Sequence, residues 1–160
     1  MRKRRKKETT PLELEKPGCN QRYADFTAMA LLAVVGLVYT IHFVGHFAFP
    51  NSDFSTFVKT GQQWLNFQIP NSMKRAPVFS IITVLVGLPF SCPESNLNGT
   101  EWFNALMLPA WMILLYQIGK DFLGRAAVWV ALLAGLSPYM VRMSSQPLAE
   151  MTITMFFTAT

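Results

Sequence analysis

The chain has 160 residues, of which 51% are hydrophobic, 13% aromatic and only 14% charged, with a net charge of +5. A soluble domain carries about 25% charged residues, so this composition excludes an ordinary soluble enzyme, and the mean hydropathy of +0.27 points to a membrane class. The basic excess does not indicate nucleic acid: Arg2, Lys3, Arg4, Arg5, Lys6 and Lys7 sit in one tail with no aromatic residue between them. Such a tail ahead of a long apolar segment is a positive-inside flank, and it also suits anionic headgroups.

Residues 1–25 are polar, with Pro11, Pro17 and Gly18 among them, and are expected to form a disordered basic cytoplasmic tail. Residues 26–49 hold no charge and would span about 36 Å as a helix. They predict a first transmembrane helix with a cytoplasmic N-terminus, too long and without the small-residue cleavage site of a signal peptide. Residues 50–101 form a first outer loop. Within it Phe54, Phe57, Val58, Trp64 and Phe67 have helical spacing, which predicts a juxtamembrane helix. Residues 77–90 are apolar but too short to span easily, and read as a re-entrant or interfacial helix. Two more transmembrane helices are expected, at 102–119 and 126–143, joined by a charged turn at 120–125.

Residues 147–160 start a further transmembrane helix. The run after Met151 falls short of the ~20 residues a crossing needs. The chain is therefore expected to be the truncated N-terminal part of a longer multi-pass protein, inactive by itself. If 77–90 does not span, ten Lys and Arg lie inside and four outside; if it spans, the split is nine to five. Charge bias barely separates the two, and the shortness of 77–90 favours the first. Cys19 and Cys92 then face opposite sides and cannot pair, and no CxxC spacing offers a zinc site.

Four stretches carry candidate chemistry. Asp53, just past the first span, reads from position alone first as a helix N-cap, and also suits a general base for a substrate hydroxyl at the membrane surface. Lys74 and Arg75 precede Pro77; Arg presents a planar fork to phosphate oxygens, although both residues also suit headgroup contact. Arg142 and Glu150 flank Pro147 at the opening of the last apolar run. There Glu150 can orient an acceptor, bind a divalent cation, pair with Arg142, or meet the positive end of a helix. His42 and His46 share a helix face but lack the HExxH pattern, and read as polar packing. Asn98-Gly-Thr100 fits a glycosylation acceptor, relevant only in a eukaryotic lumen. P-loop, GxGxxG and GxSxG patterns are missing from the sequence.

Four segments share an order with a known family. They are Asp53-Phe-Ser-Thr-Phe-Val-Lys-Thr-Gly-Gln-Gln-Trp64, Arg75-Ala-Pro77-Val-Phe79, Gly119-Lys-Asp-Phe-Leu-Gly-Arg-Ala-Ala127 and Ser137-Pro-Tyr-Met-Val-Arg142 through Glu150. Over residues 26–160 this order resembles the N-terminal region of GT-C membrane glycosyltransferases, nearest the dolichyl-phosphate-mannose–protein mannosyltransferase and aminoarabinose-transferase-like group. Ala76 departs from that group's Pro-Pro pair. Lys74 stands where it often has a carboxylate, which weakens the case for a metal there.

The resemblance implies an all-α, multi-spanning GT-C-like fold with a juxtamembrane-helical outer loop. It implies a mannosyltransferase-like enzyme that moves a sugar from a polyprenyl-phosphate-linked donor to an acceptor on the outer face. Asp53 and Glu150 would be catalytic, and Lys74, Arg75 and Arg142 would hold substrate. The lipid-linked donor is the implied small-molecule partner, with a divalent metal left open, and the plasma or inner membrane the implied location. A transporter or channel subunit, or a non-catalytic assembly factor, is the alternative.

Overall fold

The computed structural model describes residues 19–44, 52–70, 77–90, 95–146 and 149–160, and every regular element among them is helical. Seven α-helices follow one another: α1 (Cys19–Phe43), α2 (Ser52–Leu65), α3 (Pro77–Leu85), α4 (Ser95–Leu123), α5 (Ala127–Gly135), α6 (Pro138–Ser144) and α7 (Glu150–Ala159). Two stretches, Gln21–Phe43 and Ser95–Gly135, are long and apolar enough to cross a membrane by length and composition.

The pairing of α1 with α4 orders everything else. Pro109 sits inside α4, where its ring nitrogen has no hydrogen to give the carbonyl one turn back, that of Ala105. Thr40 of α1 supplies the missing donor: its Oγ1 donates to the Ala105 carbonyl at 2.9 Å, and the contact is buried. One turn earlier, Gly36 lets the helices approach closely, since a Cβ there would lie 2.7 Å from the Pro109 Cβ. Small residues permit this kind of backbone approach where apolar solvent offers no hydrophobic drive. Asp25, near the start of α1, accepts from the Tyr116 hydroxyl at 2.7 Å and lies 3.5 Å from the Lys120 ammonium. Residues 40, 36 and 25 thus meet residues 105, 109 and 116–120, so the two helices are antiparallel.

Both helices exceed the charge-free runs that the sequence marks. α1 begins at Cys19, within the polar tail, and Asp25 in that extension is the residue that reaches α4. α4 begins at Ser95, so the SNLNGTE segment read as loop is its first two turns. At the other end, Gly124 takes a left-handed φ of +53° and stops α4, a conformation glycine adopts without a Cβ penalty. A single 3-10 turn, Gly124–Ala126, then leads into α5.

The stretch expected as one helix over 126–143 is two. Ser137 caps α6 by accepting from the Met140 N–H at 3.4 Å, and Pro138 follows at the first helical position. An N-cap serine before proline starts a new helix and breaks the old one. Ala127 packs beside Gly119 and Gly135 against Met112, so α5 runs back along α4. α7 returns beside α4 in the same direction, with the Trp111 Nε1–H donating to Thr158 Oγ1 at 2.9 Å. α2 and α3 pack on one another through an edge-to-face contact of Phe57 and Phe79, 5.0 Å between centroids. The turn after α3, at Val86 and Gly87, lies against Gly99 in the first turns of α4.

Large apolar side chains stand on the surface, and several polar ones join the apolar core inside. Val34, Val38, Ile41, Leu106, Trp129, Leu133, Phe156 and Phe157 are exposed, while Thr40, Thr83, Thr100, Glu101, Asn104 and Ser145 are buried. Replacing Thr40 with Val leaves the Ala105 carbonyl buried without its donor. The expected loss is about 1–3 kcal/mol, visible as a lowered melting temperature in detergent, whereas Thr40→Ser should retain most of the stability.

Candidate functional site

The antiparallel pair gives the bundle two ends. One holds the start of α1 and the Gly124 turn. The other holds Thr40 and Phe43 of α1, the first turns of α4, and the α2–α3 pair packed on Gly99. Asn104 joins the remaining elements to this second end: its Nδ2 donates to the Gln146 carbonyl at 2.7 Å, in the connection between α6 and α7. The helix starts that carry Asp53 and Glu150 therefore belong to one end of the bundle.

Asp53 is half-buried in the first turn of α2. The helix starts at Ser52, so Asp53 stands inside the first turn rather than ahead of it, and its carboxylate meets the positive end of the helix dipole. Glu150 is the exposed first residue of α7, and its backbone carbonyl accepts from the Thr154 hydroxyl at 2.8 Å. Arg142, also exposed, lies in the last turn of α6. Among the described residues Arg142 and Glu150 form no ion pair with each other. Lys74, Arg75 and His46 lie outside the described residues. His42 is exposed in the last turn of α1 and packs edge-on against Phe43, 4.8 Å between centroids. Among the described residues there is no group of three His, Cys, Asp or Glu that could hold a metal.

Arg142 belongs to a concave surface. A cleft of about 260 Å³ lies between the end of α1 and the α5–α6 junction, lined by Tyr39, Phe43, Leu136, Pro138, Val141 and Arg142. The Ser137–Pro138 break creates it, because a continuous helix would carry no such junction. Its wall is aromatic and aliphatic, with a single guanidinium among the described lining residues. Tyr39 and Phe43 are one turn apart with ring centroids 5.1 Å from each other, and give the cleft an aromatic side.

Sequence reasoning passed over the buried polar residues at this end. Glu101 is only 5% exposed, and Asn104 and Thr100 are fully buried in the same turns of α4. Ser144 and Ser145 are buried opposite, both donating to the Val141 carbonyl, at 3.0 and 2.8 Å, where α6 ends. A carboxylate so deeply buried in an apolar helix is costly unless it is paired or hydrogen-bonded. The available signal was the spacing of Asn96, Thr100 and Asn104, four residues apart in turn, with Glu101 beside them at the head of an apolar run. Comparison with protein-family models, curated proteins and solved structures finds no match for this chain.

Asn104 pins the α6–α7 connection to α4. Asn104→Leu should speed amide hydrogen exchange around Ser145 and Gln146 while leaving protection at Thr40 and Pro109's neighbours intact. Unchanged exchange would show that the connection is held elsewhere.

Proposed function

We propose that this chain forms part of a membrane glycosyltransferase of the GT-C kind, moving a sugar from a polyprenyl-phosphate-linked donor to an acceptor on the outer face. The observation that supports this reading is the Arg142 cleft, at the same end of the bundle as Asp53 and Glu150. Its apolar wall suits an isoprenoid chain, and a guanidinium suits the phosphate at the head of that chain. The exposed apolar surface of α1, α4, α5 and α7 suits a lipid surround.

The chemistry follows from these parts. Asp53 takes the proton of the acceptor hydroxyl as its oxygen attacks the anomeric carbon of the donor sugar. The bond from that carbon to the phosphate oxygen breaks, and polyprenyl phosphate leaves with the electron pair. Arg142, with Lys74 and Arg75 from the connection before α3, holds the charge that develops on the phosphate. Glu150, in the first turn of α7, orients the acceptor. The basic tail keeps the N-terminus cytoplasmic, which puts the Asp53 end on the outer side.

Two substitutions separate these roles. Asp53→Asn should lower the transfer rate by about 10²–10⁴-fold while donor binding persists. Arg142→Ala should weaken polyprenyl phosphate binding by about tenfold, measured by retention on protein-loaded vesicles. Full transfer activity with Asp53→Asn would contradict the proposal.

A further inference from the structure

The polar face of α2 forms a second concavity that the donor-lipid reading does not use. Phe54, Phe57 and Gly61 lie on the buried face of this helix, whose packing partner is α3. On the opposite face Thr56, Lys59, Gln63 and Asn66 share one stripe by helical spacing, with the buried Thr60 at its edge. With Gln62, these residues line a cleft of about 370 Å³. Its far wall comes from the turn after α2. Gln68 folds back, donates its backbone N–H to the Gln63 carbonyl at 2.8 Å, and lines the cleft.

That turn is a helix stop of a common kind. Phe67 has a φ of +56°, and its N–H donates to the Trp64 carbonyl at 3.1 Å. With the Gln68 bond this makes the left-handed close of a Schellman motif. Its consequence is the placement of Gln68. The helix beneath is anchored by the Phe57–Phe79 contact, so the cleft stands on a rigid element.

The lining chemistry is selective. Every amide and hydroxyl in it both donates and accepts hydrogen bonds, and Lys59 donates only. Adjacent hydroxyl groups on a sugar ring present the same double capacity. Among the described residues the cleft has one cation, no carboxylate and no aromatic platform, which disfavours amines, metal ions and nucleobases. Its volume lies near the lower end of the ~300–1,000 Å³ usual for small-molecule sites. We propose that this cleft binds a polyhydroxylated ligand, a sugar ring that is neutral or carries one acidic group. The site goes beyond the donor-lipid reading and does not depend on it.

Three rings of different charge test the assignment: glucose, glucuronic acid and glucosamine, titrated by ligand-observed NMR against the full chain in nanodiscs. Glucuronic acid should bind most tightly and glucosamine least. Lys59→Met should erase the preference for glucuronic acid over glucose without abolishing glucose binding. Gln62→Ala with Asn66→Ala should weaken all three by about three- to tenfold. Lys59, Gln62 and Asn66 are exposed, so an unchanged melting temperature serves as the control for folding. No saturable signal up to about 50 mM, or affinities untouched by these variants, would overturn the site. Equal displacement of glucuronic acid by acetate would reduce it to an anion contact and overturn the polyol assignment. Both readouts are independent of Arg142 and of sugar transfer, so failure here leaves the donor-lipid proposal standing, and the reverse.

Discussion

The structure depends on one backbone vacancy and the hydroxyl that fills it. Pro109 denies the Ala105 carbonyl its intrahelical donor, in the middle of a helix of 29 residues. In an apolar setting that unsatisfied group would cost several kcal/mol. Thr40 removes the cost from the neighbouring helix, and it reaches because Gly36 allows α1 to lie directly on Pro109. The proline is thus less a defect of α4 than the device that fixes where α1 docks, in which register and in which direction.

Direction then decides which residues share an end of the bundle. With α1 and α4 antiparallel, the α2–α3 pair lies between the end of one and the start of the other. α3 is only nine residues long, about 14 Å as a helix, which suits a segment packed at one end of the bundle. The Gly124 turn sits at the far end with Asp25, Tyr116 and Lys120, and α5 and α6 bring the chain back. Asp53, the Arg142 cleft, the buried Glu101–Asn104 turns and Glu150 gather at a single end as a result. Large apolar side chains face the surroundings on most helices, and the interior joins an apolar core around Leu32, Leu108, Met112 and Met151 to a set of buried polar residues.

The helical class and the first long apolar segment were legible from the absence of charge across 26–49 and from the helical spacing of the aromatics in α2. The extension of α1 back to Cys19 was not, because Asp25 looks like the end of a polar tail until Tyr116, 91 positions away, is placed beside it. The start of α4 was hidden for a similar reason: Thr100, Glu101 and Asn104 read as loop polarity, yet they are buried against the rest of the bundle. The break at Ser137 was written in the Ser-Pro pair, but the cleft it opens required the end of α1 to be brought alongside. Of the candidate site, the first-turn position of Glu150 followed from local sequence, whereas Asp53, which reads as a cap ahead of its helix, stands inside the first turn. Their shared side is what the topology with a non-spanning 77–90 implies, and the Thr40–Ala105 and Asn104–Gln146 bonds give it a structural basis.

That shared end is the claim on which the proposed chemistry stands, and sidedness tests it directly. Single cysteines at positions 53, 121 and 150, with Cys19 and Cys92 replaced by serine, can be labelled in intact cells by a membrane-impermeant thiol reagent. Position 121 follows Lys120 near the far end of α4 and is exposed. Positions 53 and 150 should react from the outside, and position 121 only after the membrane is opened. Reaction of 53 and 150 from opposite sides would separate the two carboxylates by the bilayer and contradict the account.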